Sequence, residues 1–183
     1  MFAENSAGAL SQGARFFCPA YLMAADSGFD CVLDSPLGRL GIRLQAGCLA
    51  GVDFLPDAVA LQSPATLIAH RVAAEFRNYF GGAQAGFSIP LVPAATPFQQ
   101  RVREALRAIP TGQTRSYGEL AVQLESGPRA VGNACRRNPL PIVVPCHRVV
   151  AASGIGGYAG RTAGPELRRK RWLLQHEGVQ LSP

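Results

Sequence analysis

Between residues 31 and 55 apolar side chains come in short runs or alternate with polar ones: Cys31 to Leu33, Leu40-Gly-Ile-Arg-Leu44 and Leu49 to Leu55. Alternation sends successive side chains to opposite faces, as in a half-buried strand, and Ser35-Pro-Leu-Gly38 and Ala46-Gly47 supply the turns. The pattern predicts an antiparallel meander. The period then changes: Leu67, Ile68, Val72, Phe76 and Tyr79 fall on one helical face that ends at Gly81-Gly82. This first part reads as a small α/β scaffold without a concentration of reactive side chains. A Pro-rich stretch, Pro90 to Pro97, marks its boundary.

Past that boundary the helices carry their own start signals. Thr96, Pro97 and Gln99 offer an N-cap, a first-turn proline and a capping-box partner, and Phe98, Val102, Leu106 and Ile109 form the stripe that follows. Ser116 and Glu119 repeat the capping-box spacing ahead of Leu120 and Leu124, and Ser126-Gly127 stops that helix. Pro128 opens another that must end near Asn138, since Pro139 disfavours helical geometry in the residue before it. Two short helices joined by a tight glycine-containing turn outline a helix-turn-helix. On the second, Val131, Ala134 and Cys135 make the inward face, while Arg129, Asn133 and Arg136 lie on another at i, i+4 and i+7. Such a helix suits nucleic acid, although a plain helical hairpin with a solvated basic face gives the same pattern.

Composition narrows the classes. The 183 residues suffice for one large domain or two small ones sharing a core, and 48% hydrophobic content is ordinary for a globular chain. No apolar run approaches the roughly 20 residues that a membrane-spanning helix needs. Residues 1–25 read as a loosely ordered Gly/Ala/Ser-rich leader; Phe16 to Ala25 follow Arg15 as in a weak signal peptide, but Cys18 and Pro19 interrupt them. The expected division is therefore a leader, 1–25, an α/β domain, 26–92, and a second domain, 93–183. Five cysteines, an odd number with no C-x-x-C pair, argue against a disulfide framework and for a reducing, cytoplasmic compartment. His70, His147 and His176 lie far apart, so the spacing calls for no metal site.

Charge separates the two halves. The net charge is +6, but residues 101–183 hold 13 Arg or Lys against 5 Asp or Glu, whereas residues 1–100 hold 5 against 7. The basic half is where a polyanion would bind. Of its cations only Lys170 is not a guanidinium, the group that best matches phosphates and base edges.

Within that half, Pro139-Leu-Pro141 leads into Ile142-Val-Val144, a buried strand by composition, which delivers Pro145-Cys-His-Arg-Val149. Cysteine is the strongest neutral-pH nucleophile among side chains, but only as thiolate, and a free thiol has a pKa of about 8.5. It needs a base or a positive field beside it, and His147 and Arg148 are candidates. Neighbours on a strand point to opposite faces, so Cys146 and His147 cooperate only across a turn or through a bridging water. The competing readings are an inert buried cysteine and a structural histidine.

Pro145-Cys-His-Arg-Val149 resembles the signature of the O6-alkylguanine-DNA alkyltransferases. Ser116-Tyr-Gly-Glu-Leu-Ala121, Arg129-Ala-Val-Gly132, Arg137-Asn-Pro-Leu-Pro141, Gly157-Tyr-Ala-Gly160 and Trp172-Leu-Leu-Gln-His-Glu-Gly178 resemble that family in the same order. The resemblance is strong over residues 88 to 178 and looser over 29 to 82. It implies an α/β (α+β) fold: a ribonuclease-H-like N-terminal sheet-plus-helix domain, then a helical domain whose winged-helix-like helix-turn-helix carries the active-site cysteine.

It also implies roles. Cys146 is the alkyl acceptor, and His147, acting through a water and oriented by Glu177, is its base. Tyr117 resembles the donor to the guanine ring, and Asn138 the residue of the turn between recognition helix and active-site segment. Arg129 resembles the finger that holds the gap left by an extruded nucleotide. Ala130, Gly132 and Arg136 match positions that face the DNA minor groove, where small residues allow close approach. Pro141, Val149, Tyr158 and Ala159 match the pocket, with the carbonyls of Cys146 and Val149 reading the exocyclic amine of the base. The implied activity is single-turnover repair of O6-methylguanine, with O4-methylthymine as a further lesion, by a monomer acting on double-stranded DNA without cofactor or membrane.

The chain departs from the family's pattern in places. Arg161 replaces a glycine, Thr162 to Glu166 lengthen the loop before the last helix, and Arg168-Arg-Lys-Arg171 reads as a solvated run opening that helix. Two rival functions remain: a non-catalytic sensor of alkylated bases with the same fold, whose members lack the cysteine, and a cysteine hydrolase, which would use Cys, His and an acid but needs no recognition helix.

Overall fold

The computed structural model describes residues 28–82 and 86–180, so the expected leader lies outside the described residues. The meander forms as predicted, with β1 (Cys31–Leu33), β2 (Arg39–Gln45) and β3 (Cys48–Leu55) pairing antiparallel in the order β1-β2-β3. Ala46 and Gly47, both at positive φ, close the β2–β3 hairpin. Helix α1 (Leu67–Phe80) starts at Thr66, whose side chain accepts from the Ala69 N–H, and buries Val72, Phe76 and Tyr79. Leu67, expected on that face, is instead exposed, because it is the first helical residue and precedes the stretch that packs.

Helix α2 (Pro97–Arg107) has Thr96 as its N-cap and Pro97 in its first turn. Strand β4 (Arg115–Ser116) runs into α3 (Tyr117–Gln123), where the Ser116–Glu119 capping box closes in both directions. Then come α4 (Pro128–Arg136), a 3-10 turn (Cys146–Arg148), β5 (Val149–Val150), parallel to β4, and α5 (Pro165–His176). The architecture is mixed α/β with small sheets.

One hydrophobic core runs through both halves. Leu40, Ile42 and Leu49 of the sheet and Phe76 of α1 belong to the same buried cluster as Leu106, Leu120, Val131, Leu140 and Leu173. Backbone bonds add to it: Leu49 N–H donates to Pro90 O, and Val52 N–H to Pro139 O at 2.9 Å. The segment that leads to Cys146 is thus anchored on the N-terminal sheet.

Three expectations need correction. Ile142 to Val144 are buried but form a turn, not a strand. Pro141 and Pro145 lack N–H donors, the Val144 N–H turns back to Leu140 O, and Ile142 sits at φ 74. Helix α5 starts at Pro165, so the cationic run fills its second turn and presents different faces. Arg168 and Arg171 are exposed, Arg169 pairs with Glu166 and lies 4.6 Å over the Phe54 ring, and Lys170 is fully buried. Finally, Cys31, Cys135 and Cys146 are free thiols, whereas Cys48 is disulfide-bonded. An odd count excludes complete pairing, not a single bridge.

Candidate active site

The 3-10 turn is what allows consecutive residues to serve one site. Pro145, at φ −80 and ψ 64, follows the turn of residues 141–144, and Cys146, His147 and Arg148 come after it on a 3-10 turn that the Val149 N–H closes by donating to Cys146 O. The alternation of a strand does not apply here. Cys146 and His147 are both buried, with Cys146 6% exposed and His147 sealed.

Cys146 is one of the residues that line a cavity of about 380 Å³. Its walls are Tyr117 from α3, Arg129, Gly132, Cys135 and Arg136 from α4, and the loop 157–162. Cys146 therefore shares its cavity with the arginine-bearing helix. Tyr158 and Ala159 line the same space, whereas Pro141 and Val149 do not. A two-residue hairpin shapes that loop: Tyr158 and Arg161 exchange both backbone bonds at 2.8 Å, and Ala159 and Gly160 between them sit at φ 48 and 79. Gly160 has a second constraint, since a Cβ there would meet the Arg136 side chain at 2.6 Å. Ala130 is half-buried on α4 outside the cavity, and Arg129 and Arg136 are exposed at its mouth.

Asn138 fastens the sulfur to the turn. Its Nδ2 donates to Val144 O at 2.8 Å and to Cys146 Sγ at 3.3 Å, while its Oδ1 accepts from the Leu140 N–H. Burial pushes the Cys146 thiol up, and the Asn138 hydrogen bond, the charge of Lys170 and the nearby Tyr158 hydroxyl oppose that rise. The Tyr158 hydroxyl acts through proximity, as it makes no hydrogen bond within normal distance and angle. At rest the sulfur is a protonated thiol.

Behind it stands a buried charged network. His147 Nε2 lies 3.0 Å from Glu177 Oε1, and Arg148 donates Nε to Oε2 at 2.8 Å and Nη2 to Oε1 at 2.9 Å. Burial alone would raise the Glu177 carboxyl, but the hydrogen bonds and charges of His147 and Arg148 overcome it and hold it at about 2. Glu177 is thus a carboxylate, and His147 presents it an Nε2–H. Burial lowers the His147 imidazole below its ordinary range despite Glu177, so the ring is neutral and its Nδ1, which has no partner among the described residues, is the basic nitrogen.

The family described as 6-O-methylguanine DNA methyltransferase, DNA binding domain, matches residues 97–179. The methylated-DNA--protein-cysteine methyltransferase of Mycobacterium leprae is 40% identical over 157 residues, covering 81% of this chain and 92% of that protein. The chain belongs to the O6-methylguanine DNA methyltransferase family. The Salmonella typhimurium protein of the same name is 48% identical over 108 residues, which span 57% of this chain and 60% of that relative's length. Among solved structures, that of Mycobacterium tuberculosis OGT in complex with DNA superposes with a TM-score of 0.68 at 38% identity, covering 80% of this chain and 91% of that one.

Within this member of the family, sequence reasoning missed Lys170. Its Nζ donates to Val149 O at 2.6 Å and to Gly157 O at 2.9 Å, and stands 6.0 Å from the centroid of the Tyr117 ring. Burial lowers it to about 8, against the pull of Cys146 and Cys135. It ties the Cys146 turn to the loop that roofs the cavity and adds a positive field beside the sulfur. The one available signal was its isolation: a single lysine among twelve arginines in the basic half. Tyr117 also differs in detail from expectation, because its hydroxyl donates to Gly157 O at 3.4 Å. Burial, then the nearby Cys135 and Cys146, push its phenol up to about 12, which keeps it a donor.

Proposed function

We propose that this protein reverses DNA damage directly by moving the methyl group of O6-methylguanine onto Cys146, irreversibly and once per molecule. The observation that carries this reading is that Cys146 lines one cavity with Arg129 and Arg136, exposed on a basic helix. A base stacked in a duplex hides its O6, so the nucleotide must be turned out into that cavity, at a cost of a few kcal/mol. Arg129 serves as the wedge that holds the gap. Ala130, Gly132 and Arg136 pass along the minor groove, the arrangement of a winged-helix-like half packed on a ribonuclease-H-like one, with the boundary between residues 92 and 93.

The chemistry then balances as follows. The Cys146 proton passes through a water to His147 Nδ1, with Glu177 stabilising the imidazolium that results. A sulfur lone pair forms the bond to the methyl carbon, and the carbon–O6 bond breaks with its electrons going to guanine. Tyr117 donates a hydrogen bond to the ring as charge develops there, and the proton held by His147 neutralises the departing base. Thiol and O6-methylguanine become thioether and guanine. Asn138 and Lys170 steady the thiolate. None of the side chains around the sulfur offers a route to cleave a thioether.

Duplex carrying radiolabelled O6-methylguanine tests this. Label on the protein at one methyl per molecule supports it; no label on protein that still binds the duplex supports the sensor, and a released small product supports a hydrolase. Arg129→Ala should lower the single-turnover rate about tenfold, or ~1.4 kcal/mol in the barrier, with Cys146 intact. An unchanged rate would remove Arg129 from base extrusion.

A further inference from the structure

The N-terminal half looks like a scaffold, yet one of its side chains reaches the catalytic network. Tyr79, in the last turn of α1, is buried at 6% exposure, and its hydroxyl donates to Glu177 Oε1 at 2.8 Å. That is the oxygen that accepts from His147 Nε2. The ring is fixed on two sides: His176 of α5 meets the Tyr79 carbonyl through Nε2 at 2.8 Å and packs edge-on at 5.2 Å, and Phe87 lies 5.6 Å away. Burial and the adjacent Glu177 push the Tyr79 phenol up, so it acts only as a donor.

We propose that Tyr79 is a positioning residue of the alkyl-transfer centre, contributed by the N-terminal half, which sets how strongly Glu177 draws a proton onto His147. The proposal rests on the reading of Cys146 and His147 as acceptor and base. Arg148 holds Glu177 with two hydrogen bonds of its own, so the carboxylate keeps its place without Tyr79. The hydroxyl instead shares the electron density of the oxygen that faces His147. A neutral donor on that oxygen weakens its attraction for the imidazolium and keeps His147 neutral to lower pH.

Among the described residues, the other charged or titratable groups around the pair are Arg148 on the 3-10 turn, Lys170 and His176 on α5, Tyr158 on the loop 157–162, and Arg107 of α2, which lines a cavity with Glu177. All are unchanged in Tyr79→Phe, which also keeps the ring and its packing. Folding of the variant is checked by thermal melting. The His147 ring titration, followed by NMR on full-length protein without DNA, should then move up in pH by about half a unit. The acid limb of the methyl-transfer rate should move the same way. A His147 titration within 0.1 unit of wild type, even with a lower melting temperature, would reduce Tyr79 to a structural role and overturn the proposal. Because the NMR reading needs no DNA, wild-type protein that accepts no methyl group would count against the proposed function alone.

Discussion

Cys146→Ala should take up no label from duplex containing O6-methylguanine while binding that duplex within about twofold of wild type. The two halves of this expectation have separate causes. Transfer needs a nucleophile that forms a covalent bond, and no other described thiol can replace it: Cys135 lines the same cavity but is pushed up to about 12 by burial and by Cys146, too high to ionise at neutral pH. Binding, on the proposed function, rests on the exposed arginines of α4, which the substitution leaves alone. The turn also survives, because Asn138 Nδ2 keeps its bond to Val144 O when the sulfur is gone. Filter binding and a label count on the same samples check both halves. Retained transfer would discard Cys146 as the acceptor.

Arg148→Met should destabilise the protein by about 3–5 kcal/mol, a large share of the ~5–15 kcal/mol that holds a typical domain together. Arg148 is 9% exposed, and its guanidinium bonds Glu177 twice, Ile109 O and the Thr111 hydroxyl. Methionine fills the volume but leaves a buried carboxylate with only Tyr79 and His147 as donors. Urea titration reads the loss, and its pH dependence gives the sign. In the folded protein Glu177 titrates at about 2 against 4.5 unfolded, so its contribution is complete above pH 4.5 and drains away as pH falls through about 2. His147 acts in the same direction, since its folded titration lies below 6.5 and unfolding in acid takes up its proton. Losing Arg148 lifts the Glu177 titration and moves the acid loss to higher pH. A variant within 1 kcal/mol of wild type at pH 7 would show that the guanidinium adds nothing net to folding.

Legibility differed from element to element for physical reasons. The meander, α1 and the capped helices α2 and α3 follow from local rules, because period-2 and helical patterns, prolines and side-chain caps act within a few residues of themselves. Ile142 to Val144 misled because β-branched composition predicts burial well, while the paired partner that makes a strand lies elsewhere in the chain. The run 168–171 misled for the converse reason. Four cations in a row look solvated, yet a helix turns 100° per residue and aims Lys170 into the protein between two carbonyls. Nothing local marks Tyr79 either, since its partner Glu177 is 98 positions away.

The amino-acid order by itself determined the candidate cysteine, its neighbouring histidine, the basic second half and the helix pair that carries the arginines, since each is a matter of residue type and short spacing. Tertiary structure alone decided that Cys146 meets an open cavity, that Glu177 and Arg148 share a buried charge with Tyr79, and that Lys170 leaves the solvent. Those outcomes depend on which distant segments pack together, and packing is fixed by the burial of the whole core rather than by any short window of the chain.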